Sequence, residues 1–452
     1  MSSATEKLEL AEDISVRGTS ELVRRPRTIA ETGLDITFLA DLLSKHLATS
    51  GAASTPSLVQ RVALPSKIVD EVLHFLRQEA RVEVLGTQAD DGALRYTLTD
   101  RGRALAASAS EINGYAGAAP IPLDKYLQLV AVQSIHDRPV SHVDMQHAFK
   151  DVVLSDDLMH RLGPSLNSGR SLFIYGPAGT GKTYITQRFS RVFRDSVFIP
   201  KAILVHDVVL PIFDPVMHQA IDRGVPDTSN INVESACDER LVLCQRPALV
   251  VGGELTMSML EVQYDPHTRE HQAPLQLKAN NGIFIIDDMG RQKASPQEIF
   301  NRWIVPMEEK RDYLSLGSGR HFGIPFNVVI VFSTNMNPTD LADEAFLRRI
   351  GYKIEFPYLT REQYAEIWQQ QCAERGVPFE EKSLSYVVDC LHRVNGVPML
   401  PCHPRDLIGL CVDKAVYTGK PRQLTEEIIN WAWENYFANT QSTVPSELGE
   451  VK

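Results

Sequence analysis

The pattern of apolar and polar positions changes twice along the chain. Between 34 and 78 apolar residues recur at the three- and four-residue spacing of helices, and between 82 and 98 they alternate around a polar turn, as in a β-hairpin. From about 150 onward, short apolar runs alternate with helical stretches. Beyond 361 only helical spacing remains, which predicts a small all-helical region.

Five short runs in the middle of the chain are predicted to be strands. They cover residues 171–175, 197–200, 283–287, 327–334 and 352–356. The runs are apolar on both faces and are separated by helical stretches, which indicates a parallel sheet covered by helices on both sides. The predicted fold class is therefore α/β, with an α+β segment before the sheet and helices after it.

Composition and charge exclude several classes of protein. The 452 residues include 46 basic and 57 acidic side chains, and the net charge of −11 weighs against nucleic acid as the main partner. Six cysteines without a C-x-x-C pair favour reduced thiols over a metal site around Cys402, His403 and Cys411. The first residues lack the apolar core of a signal peptide, and no apolar run approaches the ~20 residues of a membrane span. We therefore predict a cytoplasmic protein without membrane insertion.

A glycine-rich loop follows the first predicted strand and precedes a predicted helix. It fits the pattern G-x-x-x-x-G-K-[ST], and its residues are Gly176, Pro177, Ala178, Gly179, Thr180, Gly181, Lys182 and Thr183. The glycines allow consecutive backbone N–H groups to turn inward and cradle phosphate. The Lys182 ammonium would reach the β- and γ-phosphates, and the Thr183 hydroxyl would be a ligand of Mg²⁺. The loop therefore predicts a nucleoside triphosphate site.

Two carboxylates stand at the end of the buried strand predicted near 283–287. These are Asp287 and Asp288. In a phosphate-loop site one carboxylate at this place holds Mg²⁺, and a neighbouring group positions the attacking water. We therefore assign Asp287 to the metal and Asp288 to catalysis.

The loop and the acidic pair resemble those of the AAA+ ATPases, and the resemblance covers about residues 160–420. Asn335, which ends the strand predicted at 327–334, looks like that family's sensor 1, whose polar side chain helps to place the water. Arg405 opens a predicted helix and looks like sensor 2, which is aimed at the γ-phosphate.

Two further segments carry the resemblance. Residues 311–326 read as two short strands around a Gly-Ser-Gly turn, similar to the pre-sensor-1 hairpin of the MoxR-like and neighbouring AAA+ groups. Residues 343–350 resemble the segment that carries the arginine finger, for which Arg349 is preferred and Arg348 is the reserve.

The resemblance implies an ATPase that uses ATP and Mg²⁺ and assembles into a ring, most often of six subunits, in which one subunit's arginine completes its neighbour's site. The chain departs from the family at Asp288, where members usually have glutamate. Aspartate is one methylene shorter, and a general base acts through its position before its pKa. Slow hydrolysis is therefore part of the expectation.

These inferences divide the chain into six segments. They are a flexible leader over 1–30, a winged-helix-like domain over 31–110, a linker with the helices that lead into the sheet over 111–150, an AAA+ nucleotide-binding domain over 151–358, a helical lid over 359–440 and a flexible tail over 441–452.

The sequence says less about the molecule on which the ATPase acts than about its chemistry. One hypothesis is that the ring remodels or assembles another protein, with the winged-helix-like domain as an adaptor. The alternative is that this domain binds DNA in transcription or replication control. The predicted recognition helix mixes Lys67 with Asp70 and Glu71, and carboxylates facing phosphates repel, which favours a protein client. A third reading is a nucleotide-gated binding module without turnover.

Overall fold

The structure, a computed structural model, describes residues 19–87, 93–221, 237–317 and 319–437. In chain order its strands are β1 (Ala52–Ser54), β2 (Val82–Thr87), β3 (Leu94–Leu98), β4 (Ile121–Pro122), β5 (Leu172–Tyr175), β6 (Ser196–Pro200), β7 (Ala202–Val205), β8 (Val208–Pro211), β9 (Leu241–Gln245), β10 (Ala248–Val251), β11 (Gln263–Asp265), β12 (Glu270–Gln272), β13 (Ile283–Ile286), β14 (Arg311–Ser315), β15 (His321–Pro325), β16 (Val329–Thr334) and β17 (Tyr352–Glu355).

The helices surround these strands. They are α1 (Thr19–Leu22), α2 (Ile29–Thr32), α3 (Ile36–Ser50), α4 (Thr55–Val62), α5 (Ser66–Gln78), α6 (Asp100–Ile112), α7 (Leu123–Val132), α8 (His142–Ala148), α9 (Asp156–Asn167), α10 (Lys182–Gln187), α11 (Leu275–Lys278), α12 (Pro296–Glu309), α13 (Pro338–Leu341), α14 (Glu344–Leu347), α15 (Arg361–Glu374), α16 (Glu381–Ser385), α17 (Arg393–Asn395), α18 (Cys402–Thr418) and α19 (Glu426–Tyr436).

The central sheet has five strands in the order β10–β13–β16–β5–β17, and every neighbouring pair is parallel. Alternate side chains of its strands enter two different cores. Phe284 and Phe332 pack against Trp303 of α12 on one face, whereas Ile285 and Val331 belong to the core on the opposite face, under α9. The α/β prediction is thereby confirmed, and all five carboxyl ends meet at one edge of the sheet.

The run at 197–200 is a strand, but its predicted place in the parallel sheet is wrong. It lies in β6, which pairs antiparallel with β9 outside the central sheet, and β10 takes the expected place. A short apolar run shows that a strand is buried, but it does not show which strand is its partner. Strands β6, β7, β8 and β9 therefore form an insertion outside the central sheet, and most of their buried apolar side chains lie in one core.

The predicted hairpin at 311–326 is present as β14 and β15. The inward-facing side chains of this hairpin are buried. Leu314, Phe322 and Ile324 pack with Val197 and other side chains of the insertion in a core below the sheet. The hairpin and the insertion are therefore parts of one packed unit.

The first part of the chain contains the predicted helices and hairpin. Helices α3, α4, α5 and α6 pack with a three-stranded antiparallel sheet of order β1–β3–β2. Ala202 and Val209 of the insertion join the same core, so this unit is packed against the insertion.

The expected flexible leader is wrong for residues 19–30. Val23 is buried in the core of the insertion, its carbonyl accepts a hydrogen bond from the backbone N–H of Asp238, and Arg25 pairs with Glu239 at 2.9 Å. Polar composition favours an exposed, unpacked segment, but one ion pair, one backbone hydrogen bond and one buried apolar side chain hold this one against the insertion. Residues 1–18 and the predicted tail at 441–452 lie outside the described residues.

The Gly- and Ala-rich stretch after α6 was predicted to be a linker and is packed. Tyr115 and Ala119 are buried, and the N–H of Ala119 donates to the carbonyl of Val62 at 2.8 Å. The Lys45 ammonium donates to the carbonyl of Asn113. A composition rich in glycine, alanine and proline indicates that a segment lacks helix and strand. It does not show whether the segment is packed against the rest of the protein.

A buried ion pair joins this stretch to the insertion. The guanidinium of Arg240 is fully buried, donates to the Asp238 carboxylate at 2.9 Å, and also donates to the carbonyls of Thr32 and Pro120, both at 3.0 Å. Burial alone would raise the pKa of Asp238, but hydrogen bonds from Arg240 and its charge, with that of Lys125, outweigh burial and lower it.

We expect Arg240→Met to lower the free energy of unfolding by about 3–5 kcal/mol, because it leaves the buried Asp238 carboxylate with a single cationic partner. Urea denaturation followed by circular dichroism measures the change. The matched control is Arg320→Met, which removes an exposed pair with Asp207 and should cost about 1 kcal/mol or less. Equal losses in the two variants would contradict the prediction.

The helices after the sheet enclose a core of aromatic rings and two histidines. The rings of His392 and His403 stack with centroids 5.2 Å apart, beside Trp433. Burial lowers the pKa of His403 to about 4, with a further contribution from the charge of His392, and burial lowers the pKa of His392 as well. Both imidazoles are therefore neutral at pH 7.

We expect acid to destabilise this helical region over a defined window. The unfolded chain takes up a proton at the ordinary histidine pKa of 6.5, whereas folded His403 resists protonation until about pH 4. Stability is thus complete above about pH 6.5 and is lost as the pH falls towards 4. Thermal midpoints from pH 8 to pH 4 measure this. His403→Phe should show a smaller fall, and an unchanged fall would contradict the assignment.

Candidate functional site

The glycine-rich loop connects β5 to α10 in a conformation that requires glycine. Gly176 has a φ of +140°, and a Cβ there would lie 2.5 Å from the carbonyl oxygen of Phe356. Gly181, with a φ of +86°, directly precedes α10. The sequence therefore folds the loop tightly over the carboxyl edge of the sheet, as the motif predicts.

The Lys182 side chain is buried under this loop. Its ammonium donates to the carbonyls of Gly176 and Pro177, each at 2.8 Å, and to Oδ1 of Asn335 at 2.6 Å. Burial lowers the pKa of Lys182, and the charges of Asp287 and Asp288 partly oppose this shift. The cation is thus held at the sheet edge between the loop and the end of β16.

The Thr183 hydroxyl donates to Oδ2 of Asp287 at 2.6 Å. A hydroxyl and a carboxylate oxygen in contact are the donor set that Mg²⁺ prefers, since this hard cation binds oxygen and uses few protein ligands beside phosphate and water. The two residues assigned to the metal therefore fit that ion.

Asn335 connects Lys182 to Asp288. While its Oδ1 accepts from Lys182, its Nδ2 donates to Oδ1 of Asp288 at 3.2 Å. The Asp288 side chain is about half exposed, and its backbone has a φ of +50°, which is unusual for a residue other than glycine. The sequence-predicted catalytic carboxylate and the polar end of β16 are thus in contact.

The two predicted arginine positions differ in their surroundings. Arg405, at the start of α18, lines the same cavity as the loop, is 61% exposed and donates from Nε to Asp406 at 2.7 Å. Arg349 is paired with Glu308 at 2.5 Å and donates to the carbonyl of Ala345 at 2.8 Å. Neither Arg349 nor Arg348 lines the cavity.

The cavity beside the loop has a volume of about 400 Å³. Thr180 of the loop and Asn335 are part of its lining, and apolar side chains such as Val152, Leu154 and Ile367 supply other walls. Sequence reasoning missed these apolar walls. They come from the segment before α9 and from α15, more than 200 residues apart, so no local motif announces them.

Gln292 is a second residue that sequence reasoning missed. Its side-chain amide donates to the carbonyl oxygens of Asp287 and Asp288 at 2.8 and 3.2 Å. The signal in the sequence is only a glutamine four residues after the acidic pair, which carries no information by itself.

Comparisons with known proteins leave the family of the chain open. A family model described as a domain of unknown function (DUF8689) matches residues 360–435, and no curated protein matches the chain. Among solved structures, the RuvB Holliday junction branch migration motor of Thermotoga maritima is similar at 12% identity, over 65% of this chain and 73% of that chain, with a TM-score of 0.37. NtrX from Brucella abortus is similar at 14% identity, over 66% and 59%, with a TM-score of 0.40.

The site and the sheet together have the P-loop NTPase arrangement that the sequence predicts, with the phosphate-type loop at the carboxyl edge of a parallel sheet. Within the described ranges, no group of three or more His, Cys, Asp and Glu side chains is arranged to hold a metal. Among the same residues, the helices are too short or too polar to span a membrane.

Proposed function

We propose that the chain binds ATP with Mg²⁺ and hydrolyses it to ADP and phosphate. The observation that carries the proposal is the convergence of Lys182, Thr183, Asp287 and Asn335 through two hydrogen bonds of 2.6 Å. These groups are up to 153 residues apart in the chain, and they meet beside a cavity of a nucleotide's size.

Each residue has a part in this chemistry. Lys182 exchanges its carbonyl partners for phosphate oxygens and neutralises their charge. Mg²⁺, held by Thr183 and Asp287, would supply further charge neutralisation at the β- and γ-phosphates. Asp288 accepts a proton from water as the water oxygen bonds to the γ-phosphorus, and the bond from that phosphorus to the bridging oxygen breaks. Asn335 orients the water, and ADP leaves.

Arg405 supports a link between nucleotide state and the helical region. It belongs to α18, whereas the rest of the phosphate site belongs to the sheet domain, and both line one cavity. We assign it to the γ-phosphate. Loss of that phosphate would release the arginine and allow the helical region to rotate as a lid.

Assembly into a ring, with an arginine completing the neighbouring site, is part of the proposal. Among the described residues, the exposed guanidinium of Arg348 has no hydrogen-bonding or ion-pair partner, whereas Arg349 is held by Glu308 within its own chain. An arginine that acts on another subunit must be free to leave its own. These contacts favour Arg348 over Arg349, which reverses the preference drawn from sequence.

A protein client is favoured over DNA. The order α3–β1–α4–α5–β2–β3 is that of a winged-helix domain and supports this assignment for the first unit. The exposed face of α5 carries Asp70 and Glu71 beside Lys67, so its charge is mixed. Three arginines of the first unit form ion pairs with carboxylates, and these pairs are Arg81–Asp41, Arg101–Glu79 and Arg103–Asp100. A remodelling or assembly factor that acts on protein fits this surface better.

We expect Lys182→Ala to weaken ATP binding by more than about 100-fold, because several charge-assisted hydrogen bonds to phosphate are lost. Isothermal calorimetry or a fluorescent ATP analogue measures the change. The exposed Lys293 provides a matched control, and Lys293→Ala should bind ATP as the unmodified chain does. Unchanged affinity in Lys182→Ala would refute the site.

We expect Arg348→Ala to lower ATP turnover by about 10³-fold while leaving the ATP affinity within about threefold, because a finger acts on the transition state of the adjoining subunit. Turnover should also rise with protein concentration in the unmodified chain. Arg349→Ala is the comparison and should retain more activity. If Arg349→Ala alone is inactive, the assignment of the finger to Arg348 is wrong. If dilute monomers hydrolyse ATP at the full rate, the proposal of a ring is wrong.

A further inference from the structure

Asp288 is held in a strained backbone conformation at the centre of the proposed site. Its φ of +50° lies in the left-handed region, which residues other than glycine seldom occupy, although aspartate does so more often than most. Such strain persists only where surrounding contacts determine the backbone. Two backbone hydrogen bonds contribute, from the N–H of Asp287 to the carbonyl of Val251 at 2.8 Å and from the N–H of Arg291 to the carbonyl of Asp288 at 3.0 Å. Further contacts come from one side chain and from β16.

Gln292 supplies the side-chain contacts. Its Nε2 donates to the carbonyl of Asp287 at 2.8 Å and to that of Asp288 at 3.2 Å, while its Oε1 accepts from the N–H of Gly290 at 2.8 Å. One amide therefore bonds backbone groups on both sides of Met289 and closes the turn between them. A side-chain amide carries two N–H donors and a carbonyl acceptor on one planar group. Asparagine has the same group, but its side chain is one methylene shorter.

The strand β16 supplies the second set of contacts. The N–H of Met289 donates to the carbonyl of Ser333 at 2.7 Å, and the hydroxyl of Thr334 donates to the carbonyl of Met289 at 2.8 Å. These bonds fix the turn to the same strand that Asn335 directly follows. The carboxylate of Asp288 then lies 3.2 Å from Nδ2 of that asparagine.

We propose that Gln292 is a positioning residue for hydrolysis, an inference that rests on the proposed function. It holds the left-handed turn that brings the short Asp288 carboxylate to Asn335. The turn offsets the methylene that aspartate lacks relative to glutamate. Gln292 does not line the cavity beside the loop, so we expect its effect to be on turnover and not on ATP affinity.

The test compares Gln292→Glu with the unmodified full-length chain. Glutamate keeps the shape and an acceptor for the N–H of Gly290, but an ionised carboxylate cannot donate to the carbonyls of Asp287 and Asp288. We expect kcat to fall at least about 10-fold, the usual size of the loss when a group supporting a metal or catalytic ligand is removed, while the ATP dissociation constant stays within about threefold. The thermal midpoint is recorded for each variant.

Two further variants separate positioning from a structural role. Gln297→Ala is the matched control, because Gln297 is an exposed glutamine of α12 whose amide donates to Oδ1 of Asn301 at 3.4 Å. It should leave kcat unchanged. Asp288→Asn removes the carboxylate, and adding Gln292→Glu to it should lower the residual rate by less than about twofold, since residues that act as a unit are not additive.

The outcomes are distinct. A lower kcat with intact affinity, together with the non-additive double variant, supports the proposal. Three results would overturn the proposal. The first is that Gln292→Glu hydrolyses ATP at the full rate, and the second is that its kcat and its affinity for ATP fall together. The third is that the rate loss of Gln292→Glu multiplies in full with the rate loss of Asp288→Asn. Failure of the unmodified chain to hydrolyse bound ATP at any concentration overturns both this inference and the hydrolysis in the proposed function.

Discussion

The site depends on the parallel register of three strands. Ile286 of β13 is paired with Phe332 of β16, and Phe332 is paired with Phe173 of β5, so the three strands end side by side. The loop after β5, the acids after β13 and the asparagine after β16 can therefore form hydrogen bonds across neighbouring strand ends. A shift of one residue would turn every side chain to the other face and separate these groups.

A network of buried hydrogen bonds joins the amino ends of β13 and β16 to the insertion. Asn327 donates to Oδ1 of Asn281 at 2.7 Å, and the Arg246 guanidinium donates to the carbonyls of Asn281 and Gln133. These buried polar groups are hydrogen-bonded to each other, so moving the insertion relative to the sheet would leave them without partners. The first unit, the insertion and the hairpin are therefore coupled to the amino ends of the strands whose carboxyl ends carry the site.

The parts of the fold that could be predicted are those whose cause is local. The loop at 176–183 is fixed by glycines and one lysine within eight residues, and the sheet by runs apolar on both faces. What could not be predicted depends on distant contacts. The partner of β6, the anchoring of Val23 and the apolar wall from Val152 to Ile367 all involve segments that are remote in the chain.

The helical region after the sheet packs directly against the glycine-rich loop. A Cβ on Gly179 would lie 3.1 Å from both Sγ of Cys402 and Cδ1 of Leu400, so the start of α18 rests directly on the loop. The same turn of α18 carries Arg405. Because the glycine leaves no space between them, a change in the loop must move α18 or be resisted by it. The glycine-rich loop and the start of α18 are thus in direct van der Waals contact, in a close-packed arrangement that leaves little room for either to shift alone.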